Sequence, residues 1–265
     1  MTQLPSAVSV RESGTGTPLV LLHAFPLNAS MWSSQLDALP GLTGDETRVL
    51  APDQRGFGGT VLGGDDPSLD PVADDLALLL DAAGIERAVV GGLSMGGYVA
   101  LAFARRHPTR LAGLLLANTR ATADTDAVRA NRERIAAAVT ARDSVGLLLD
   151  EQVAAGQLGP RSQHLVERVQ AMVAAAPPAA VAWAQRAMAA RPDSRDVLAA
   201  LRVPVAIVTG ADDALVAPEE AELMLDVRPD ARLTVLPGVG HLSALEAPEA
   251  FDATVRALLT RVAAG

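Results

Sequence analysis

The stretch from Glu86 to Pro108, ERAVVGGLSMGGYVALAFARRHP, is compatible with few folds. Its short apolar run before the glycines reads as a buried strand of the kind a parallel sheet contains. Glycines then break the run around a lone serine, Ser94, and the pattern resumes with helical spacing until Pro108 ends it. A strand that becomes a helix within a few residues brings two backbones close together, which residues lacking a side chain permit. The turn also sets the Met95 amide at a helix N-terminus, where developing negative charge is stabilised. Gly92-Leu93-Ser94-Met95-Gly96 thus has the G-x-S-x-G form of a turn that holds a serine hydroxyl outward as a nucleophile.

The chain around this junction alternates short strands and longer helices. PLVLLHAF (18–25), TRVLAPD (47–53), RAVVGG (87–92), LAGLLLAN (111–118), VPVAIVTG (203–210) and ARLTVLPG (231–238) read as strands. Between them, 70–84, 95–107, 218–229 and 248–263 read as helices; in the first, Val72, Leu76, Leu79 and Leu80 share a face and Gly84 stops it. This is the pattern of an α/β fold with a mostly parallel central sheet flanked by helices. From 120 to 200 the strand signal is gone, and Ala-rich helical segments punctuated by Gly and Pro replace it. Leu165, Val166, Val169, Met172 and Val173 form one apolar stripe there, which reads first as core packing. The expected organisation is a core domain of 1–119 and 201–265 with a helical insertion, 120–200.

Missing residue types narrow the chemistry. The 265 residues contain no Cys, which removes thiol nucleophiles, disulfides and thiolate metal sites. All 22 basic residues are Arg, so a Schiff-base lysine, a P-loop lysine and a Ser–Lys dyad are absent too. The net charge is −9 without a basic cluster, which argues against nucleic acid as a partner. No apolar run reaches a membrane span's length, and MTQLPSAVSVRESG lacks the pattern of a signal peptide, so a soluble cytoplasmic protein is expected. GGDDPSLD (63–70) lacks calcium-loop spacing and reads as a turn before a helix; no metal or cofactor is expected, and the oligomeric state is not legible.

A nucleophilic serine needs a base, and the base needs an orienting acid. Of four histidines, His107 ends a helix before Pro108, His164 opens an insertion helix where it reads as solvated, and His23 ends an early strand. His241 lies in LPGVGHLSALEAP, a glycine-rich loop after a strand, from which an imidazole can reach across the carboxyl edge of a sheet. The acid is Asp212 or Asp213, both directly after the strand at 203–210; one acts as acid and the other as a turn or cap, and spacing does not choose between them.

With LLHAFPL, APDQRGFGGT, GGLSMGGYVAL, TGADDALVAP and GHLSALEAPEAF in that order, the chain resembles the α/β-hydrolase family over nearly its whole length. That resemblance implies Ser94 as nucleophile, His241 as base and Asp213 as acid, with the amides of Phe25 and Met95 as oxyanion hole and 120–200 as a lid. One departure is Ala24, where the family carries Gly after the histidine; an alanine there constrains the loop that presents the Phe25 amide. Within the family the motifs resemble 3-oxoadipate enol-lactonases and related esterases.

The expected activity is hydrolysis of a small-molecule ester or lactone through an acyl-enzyme on Ser94. The same triad also suits a cofactor-free perhydrolase of haloperoxidase type or a C–C bond hydrolase. A ligand sensor built on the hydrolase frame is the non-enzyme alternative, distinguished by the lack of multiple turnover. Trp183, Arg186 and Met188 are the insertion residues expected to shape the pocket, with Arg186 alternatively a solvated helix charge.

Overall fold

The computed structural model describes residues 8–41 and 47–265. The opening residues 1–7, part of the stretch examined for a signal peptide, lie outside that range. Seven strands form one sheet in the order β1-β3-β2-β4-β5-β6-β7: β1 Val10–Ser13, β2 Thr17–Leu22, β3 Thr47–Pro52, β4 Ala88–Leu93, β5 Leu111–Ala117, β6 Val205–Gly210 and β7 Arg232–Leu236. All neighbours are parallel except β1, which runs antiparallel to β3 with Val10 opposite Pro52. The expected α/β class with a mostly parallel sheet is what the chain adopts. β1 carries no strand signal: its four residues, VRES, have only partly buried or exposed side chains, so burial leaves no pattern to read.

Helices cover both faces. α1 (Ser33–Ala38) and α12 (Pro248–Ala263) pack together on one side; α2 (Asp70–Ala82), α3 (Met95–Arg106), α9 (Arg195–Ala200) and α10 (Glu219–Val227) form the other. α2 buries Val72, Ala73, Leu76, Ala77 and Leu80, a repeat that follows the helical period, and Gly84 leaves it with φ +66° while the Ile85 amide reaches back to Leu80. Strands β4 and β6 are buried along their whole length, which is why they read as continuous apolar runs.

Between β5 and β6 the chain makes α4 (Asp126–Arg142), α5 (Gly146–Asp150), α6 (Val153–Gly156), α7 (Val166–Ala174), α8 (Pro178–Ala190) and finally α9. α4 packs along α8, and Val169, Met172 and Val173 of the apolar stripe are buried. No helix among the described residues is long and apolar enough to cross a membrane.

Strand order reverses across β2 and β4: from β2 the chain crosses to β3 on one side, and then to β4 on the other. In a parallel sheet such a reversal opens a crevice at the strands' carboxyl ends. The loop after β2 carries Phe25, and the turn after β4 carries Ser94.

Candidate active site

Ser94 occupies a backbone conformation that L-residues seldom adopt, φ 55° and ψ −114°. Two contacts explain the neighbouring glycines: a Cβ on Gly92 would stand 2.1 Å from the Gly96 carbonyl, and one on Gly96 2.1 Å from the Leu22 carbonyl oxygen. Only glycine lets β4, α3 and β2 approach this closely, and the strain at Ser94 is held by hydrogen bonds. Its amide donates to Ala117 at 2.9 Å, and Thr119 Oγ1 donates to its carbonyl at 2.8 Å. The hydroxyl side stays half-exposed at the mouth of α3. Met95 is the first residue of that helix, so its N–H has no partner within the helix.

His241 follows β7 and is buried, with Nδ1 2.9 Å and 3.0 Å from the carboxylate oxygens of Asp213. A carboxylate only accepts, so the ring proton sits on Nδ1 and Nε2 is left as the acceptor. Asp213 also accepts the amides of Leu215 and Val216 at 2.9 and 3.0 Å on Oδ1, and Asn118 Nδ2 at 2.9 Å on Oδ2. Burial pushes its carboxyl up, but the His241 hydrogen bond and charge, with Asn118 and the Val216 amide, outweigh this and hold it below the usual carboxylate range. Asp212 is exposed, so geometry resolves the choice left open by spacing.

The loop after β2 depends on His23. Its ring is fully buried: Nδ1 donates to the Ala24 carbonyl at 3.0 Å and Nε2 accepts the Gln54 amide at 2.9 Å. Gln54 Nε2 also takes the His23 carbonyl, which is why the strand expected to run to residue 25 stops at Leu22. Burial pushes the His23 pKa down to about 4, so the ring is neutral and structural. Ala24 is fully buried without a left-handed backbone, so the alanine costs the loop nothing there. The Phe25 amide has no acceptor among the described residues. His107 pairs with Asp74 at 2.8 Å beyond the end of α3, and His164 is exposed.

Ser94, His241 and Phe25 line one cavity of about 440 Å³, closed over by residues of α4, α5, α6 and α8. Of the three insertion residues expected there, only Met188 lines it. Trp183 donates its indole N–H to the Asp65 carbonyl at 2.9 Å, and Arg186 pairs with Glu133 at the surface, at 2.8 and 3.0 Å. Both point away because α8 presents Gln185 and Met188 to the cavity, which places Trp183 and Arg186 on another part of its circumference.

Three positioning residues escaped the sequence reading. Asn118, with φ 45°, ties Asp213 to the Gly240 carbonyl. Glu246 accepts the amides of Gly159, Gly240 and Leu242 at 2.8 to 3.0 Å, gripping the His241 loop from both sides. Gln157 accepts the His241 amide at 3.0 Å and donates to the Phe25 carbonyl at 2.9 Å. Only Asn118 had a signal: an Asn at a strand's end tolerates a left-handed backbone.

Against this geometry, the family model described as the alpha/beta hydrolase family matches residues 19–254. The chain belongs to the alpha/beta hydrolase family. A thermophilic esterase from Thermogutta terrifontis, solved with malate bound, is 39% identical, covers 96% of this chain and 93% of its own, and superposes with a TM-score of 0.89. The enol-lactonase from Burkholderia xenovorans LB400 is 26% identical with 96% of each chain covered and a TM-score of 0.84. A pimeloyl-[acyl-carrier protein] methyl ester esterase from Aromatoleum aromaticum is 35% identical over 87% of this chain and 93% of its own length. Esterases are thus among the relatives of this alpha/beta hydrolase, in keeping with a hydrolytic enzyme.

Proposed function

We propose that this alpha/beta hydrolase cleaves small-molecule esters or lactones through an acyl-enzyme on Ser94. The observation that carries the reading is the shared cavity: a strained, half-exposed serine and a histidine held by a buried carboxylate open on the same space. His241 Nε2 takes the Ser94 hydroxyl proton as Oγ bonds to the substrate carbonyl carbon. The carbonyl electrons move onto oxygen, which the Met95 and Phe25 amides hold. Collapse breaks the acyl–oxygen bond, and the alcohol leaves with the proton from His241. Water, deprotonated by the same nitrogen, then attacks the acyl carbon and releases the acid and the free serine. The helices of 120–200 act as a lid over the cavity and a cap on its size.

The esterase-type relatives support this substrate class, and a Phe25 amide without an acceptor among the described residues together with Met95 at the start of α3 supports acyl transfer. Ser94→Ala, compared with wild type on p-nitrophenyl acetate and a small lactone panel under multiple-turnover conditions, is expected to lower kcat by roughly 10⁴- to 10⁶-fold with an unchanged circular dichroism spectrum. A folded Ser94→Ala protein with full activity overturns the reading, and a single turnover in the wild type favours a sensor.

A further inference from the structure

A second cavity, of about 250 Å³, adjoins the one that holds Ser94 and His241. Tyr98 and Arg120 line both, so these two side chains form a shared wall. Tyr98 stands one turn into α3, with its amide donating to the Ser94 carbonyl at 3.3 Å, so the wall begins beside the candidate nucleophile. On its far side the second cavity is lined by buried Leu101, Ala102, Ala121 and Ala187, and also by Asp70 and Arg105, which pair with each other at 2.5 Å. Nothing in that lining takes part in the chemistry at Ser94.

The wall is held in place. The Arg191 guanidinium lies 3.8 Å over the Tyr98 ring, a cation–π contact that gains strength where water is excluded. Arg191 cannot drift from that position cheaply: its side chain is buried, pairs with Asp124 at 2.8 Å, and donates to the Met188 and Thr122 carbonyls at 2.8 and 3.1 Å. Arg120, the other shared side chain, donates through Nη2 to the Leu215 carbonyl at 3.1 Å. Turning the ring out of the wall would give up the stacking on a guanidinium that cannot follow it. The Tyr98 hydroxyl has no protein partner among the described residues, and it is not one of the sealed polar atoms, so it opens on cavity space.

We infer that Tyr98 limits the length of substrate the catalytic cavity accepts: short chains fit beside Ser94, and longer ones meet the clamped ring before the space beyond it. The inference rests on the hydrolase reading and narrows its substrate class to short-chain esters and lactones. Cutting the ring away would join the two cavities and open the buried aliphatic lining of the second to a longer chain. Each further methylene buried there is worth up to roughly fourfold in kcat/KM.

The test uses p-nitrophenyl butyrate and octanoate, which share a leaving group, and butyl and octyl acetate, which share an acyl group, because either end of the substrate can lie toward the ring. Wild type is expected to lose kcat/KM on the eight-carbon chain in at least one series. In that series Tyr98→Ala is expected to raise the ratio of long to short substrate roughly 10- to 100-fold, chiefly through KM. Tyr98→Phe keeps the wild-type ratio, because the ring is the barrier. Ala102→Leu, which fills the second cavity, leaves the wild-type ratio alone and cancels the gain when combined with Tyr98→Ala, an outcome that a merely loosened site would not give. Should Tyr98→Ala fail to fold, Tyr98→Leu carries the same comparison. A wild type that takes the longer chain as well as the shorter in both series, or a folded Tyr98→Ala protein with both ratios unchanged, overturns the length limit and leaves the hydrolase reading standing. A wild type inactive on every ester discards the hydrolase reading instead; the wall is then judged by octan-1-ol, which is expected to raise the thermal midpoint of Tyr98→Ala and not that of wild type, and equal responses overturn it.

Discussion

His23 makes acidification a direct test of how the loop bearing Phe25 is held. The ring is fully buried, donates through Nδ1 and accepts through Nε2, so a second proton would remove the acceptor that the Gln54 amide requires. Its pKa is pushed from 6.5 down to about 4 by burial. For a group whose folded pKa is depressed, the unfolded chain takes the proton first; its stabilising contribution is present above 6.5 and is lost as the pH falls through 4. Integrating the two titrations gives a loss of about 2 kcal/mol between pH 7 and pH 5, and about 3 kcal/mol by pH 4. That is a large share of a typical domain's stability, about 5–15 kcal/mol. The carboxyls of Asp124 and Asp213, held below the usual carboxylate range, release their contributions only at more acidic pH. The assay is urea unfolding followed by the fluorescence of Trp32 and Trp183, for wild type and His23→Gln, at pH 7, 6, 5 and 4. A glutamine can still accept the Gln54 amide but cannot charge, so it should cost about 1–2 kcal/mol at neutral pH and then fall less steeply with acid. The two stabilities converge as the pH drops. Parallel curves across that window would refute the reasoning, because every other titrating group is common to both proteins.

Four further outcomes follow from the same contacts. Asn118→Asp places a second carboxyl about where the amide now touches Asp213, at 2.9 Å, and is expected to move the acid limb of the kcat–pH profile upward by about a unit or more. Glu246→Gln replaces one accepting oxygen with an N–H donor that faces amide donors of the His241 loop, which should cost roughly 2 kcal/mol and lower the thermal midpoint by about 4–8 °C in calorimetry. Gly96→Ala drives a methyl into the Leu22 carbonyl and is expected to cost about 3 kcal/mol or more, read as a lower urea midpoint or loss of soluble protein. Burial pushes the Asp252 carboxyl up, against the Gln35 hydrogen bond; its raised pKa contributes stability below the ordinary carboxylate value and loses it as the pH rises through the folded pKa. Asp252→Asn should therefore be the more stable protein at neutral pH, with the difference in thermal midpoint closing in acid.

What was legible was what the backbone dictates locally. The Ser94 turn showed because close approach of β4, α3 and β2 demands glycine at fixed positions, and the buried parallel strands showed because both faces are apolar. In the sequence Asp213 is ambiguous against Asp212, because an Asp after a strand can close a turn or orient a histidine and here two stand side by side. In the structure Asp213 performs both, closing the turn through the Leu215 and Val216 amides and orienting His241. The pocket wall was illegible for a different reason. α8 is apolar around most of its circumference, with Ala180, Ala182, Ala184 and Ala187 buried together, so no stripe announces which side faces the cavity. The rotational phase that excludes Trp183 and Arg186 is set by packing on α4, and Arg132 lies on that facing helix, where the sequence showed only one arginine among several.

The helices between β5 and β6 are also tied to the loops of the candidate site, an arrangement expected to couple substrate preference to turnover. Gln157, directly after α6, takes the His241 amide with its carbonyl and the Phe25 carbonyl with its side chain, so one residue of the insertion bridges the loops carrying the candidate base and the candidate oxyanion amide. Gly159, two residues on, donates to Glu246, which grips the other side of the His241 loop. A Cβ on Gly240 would meet the Gly159 amide nitrogen at 2.3 Å, so the two segments are in backbone contact at that point. Displacing the insertion would thus break hydrogen bonds that set the height of both loops above Ser94. Residues such as Arg132 that line the cavity stand on the same insertion, upstream of α5 and α6. It follows that remodelling the pocket wall from α4 or α8, away from Gln157, should alter substrate preference with the site's geometry kept, whereas changes near Gln157 should lower kcat on every substrate alike.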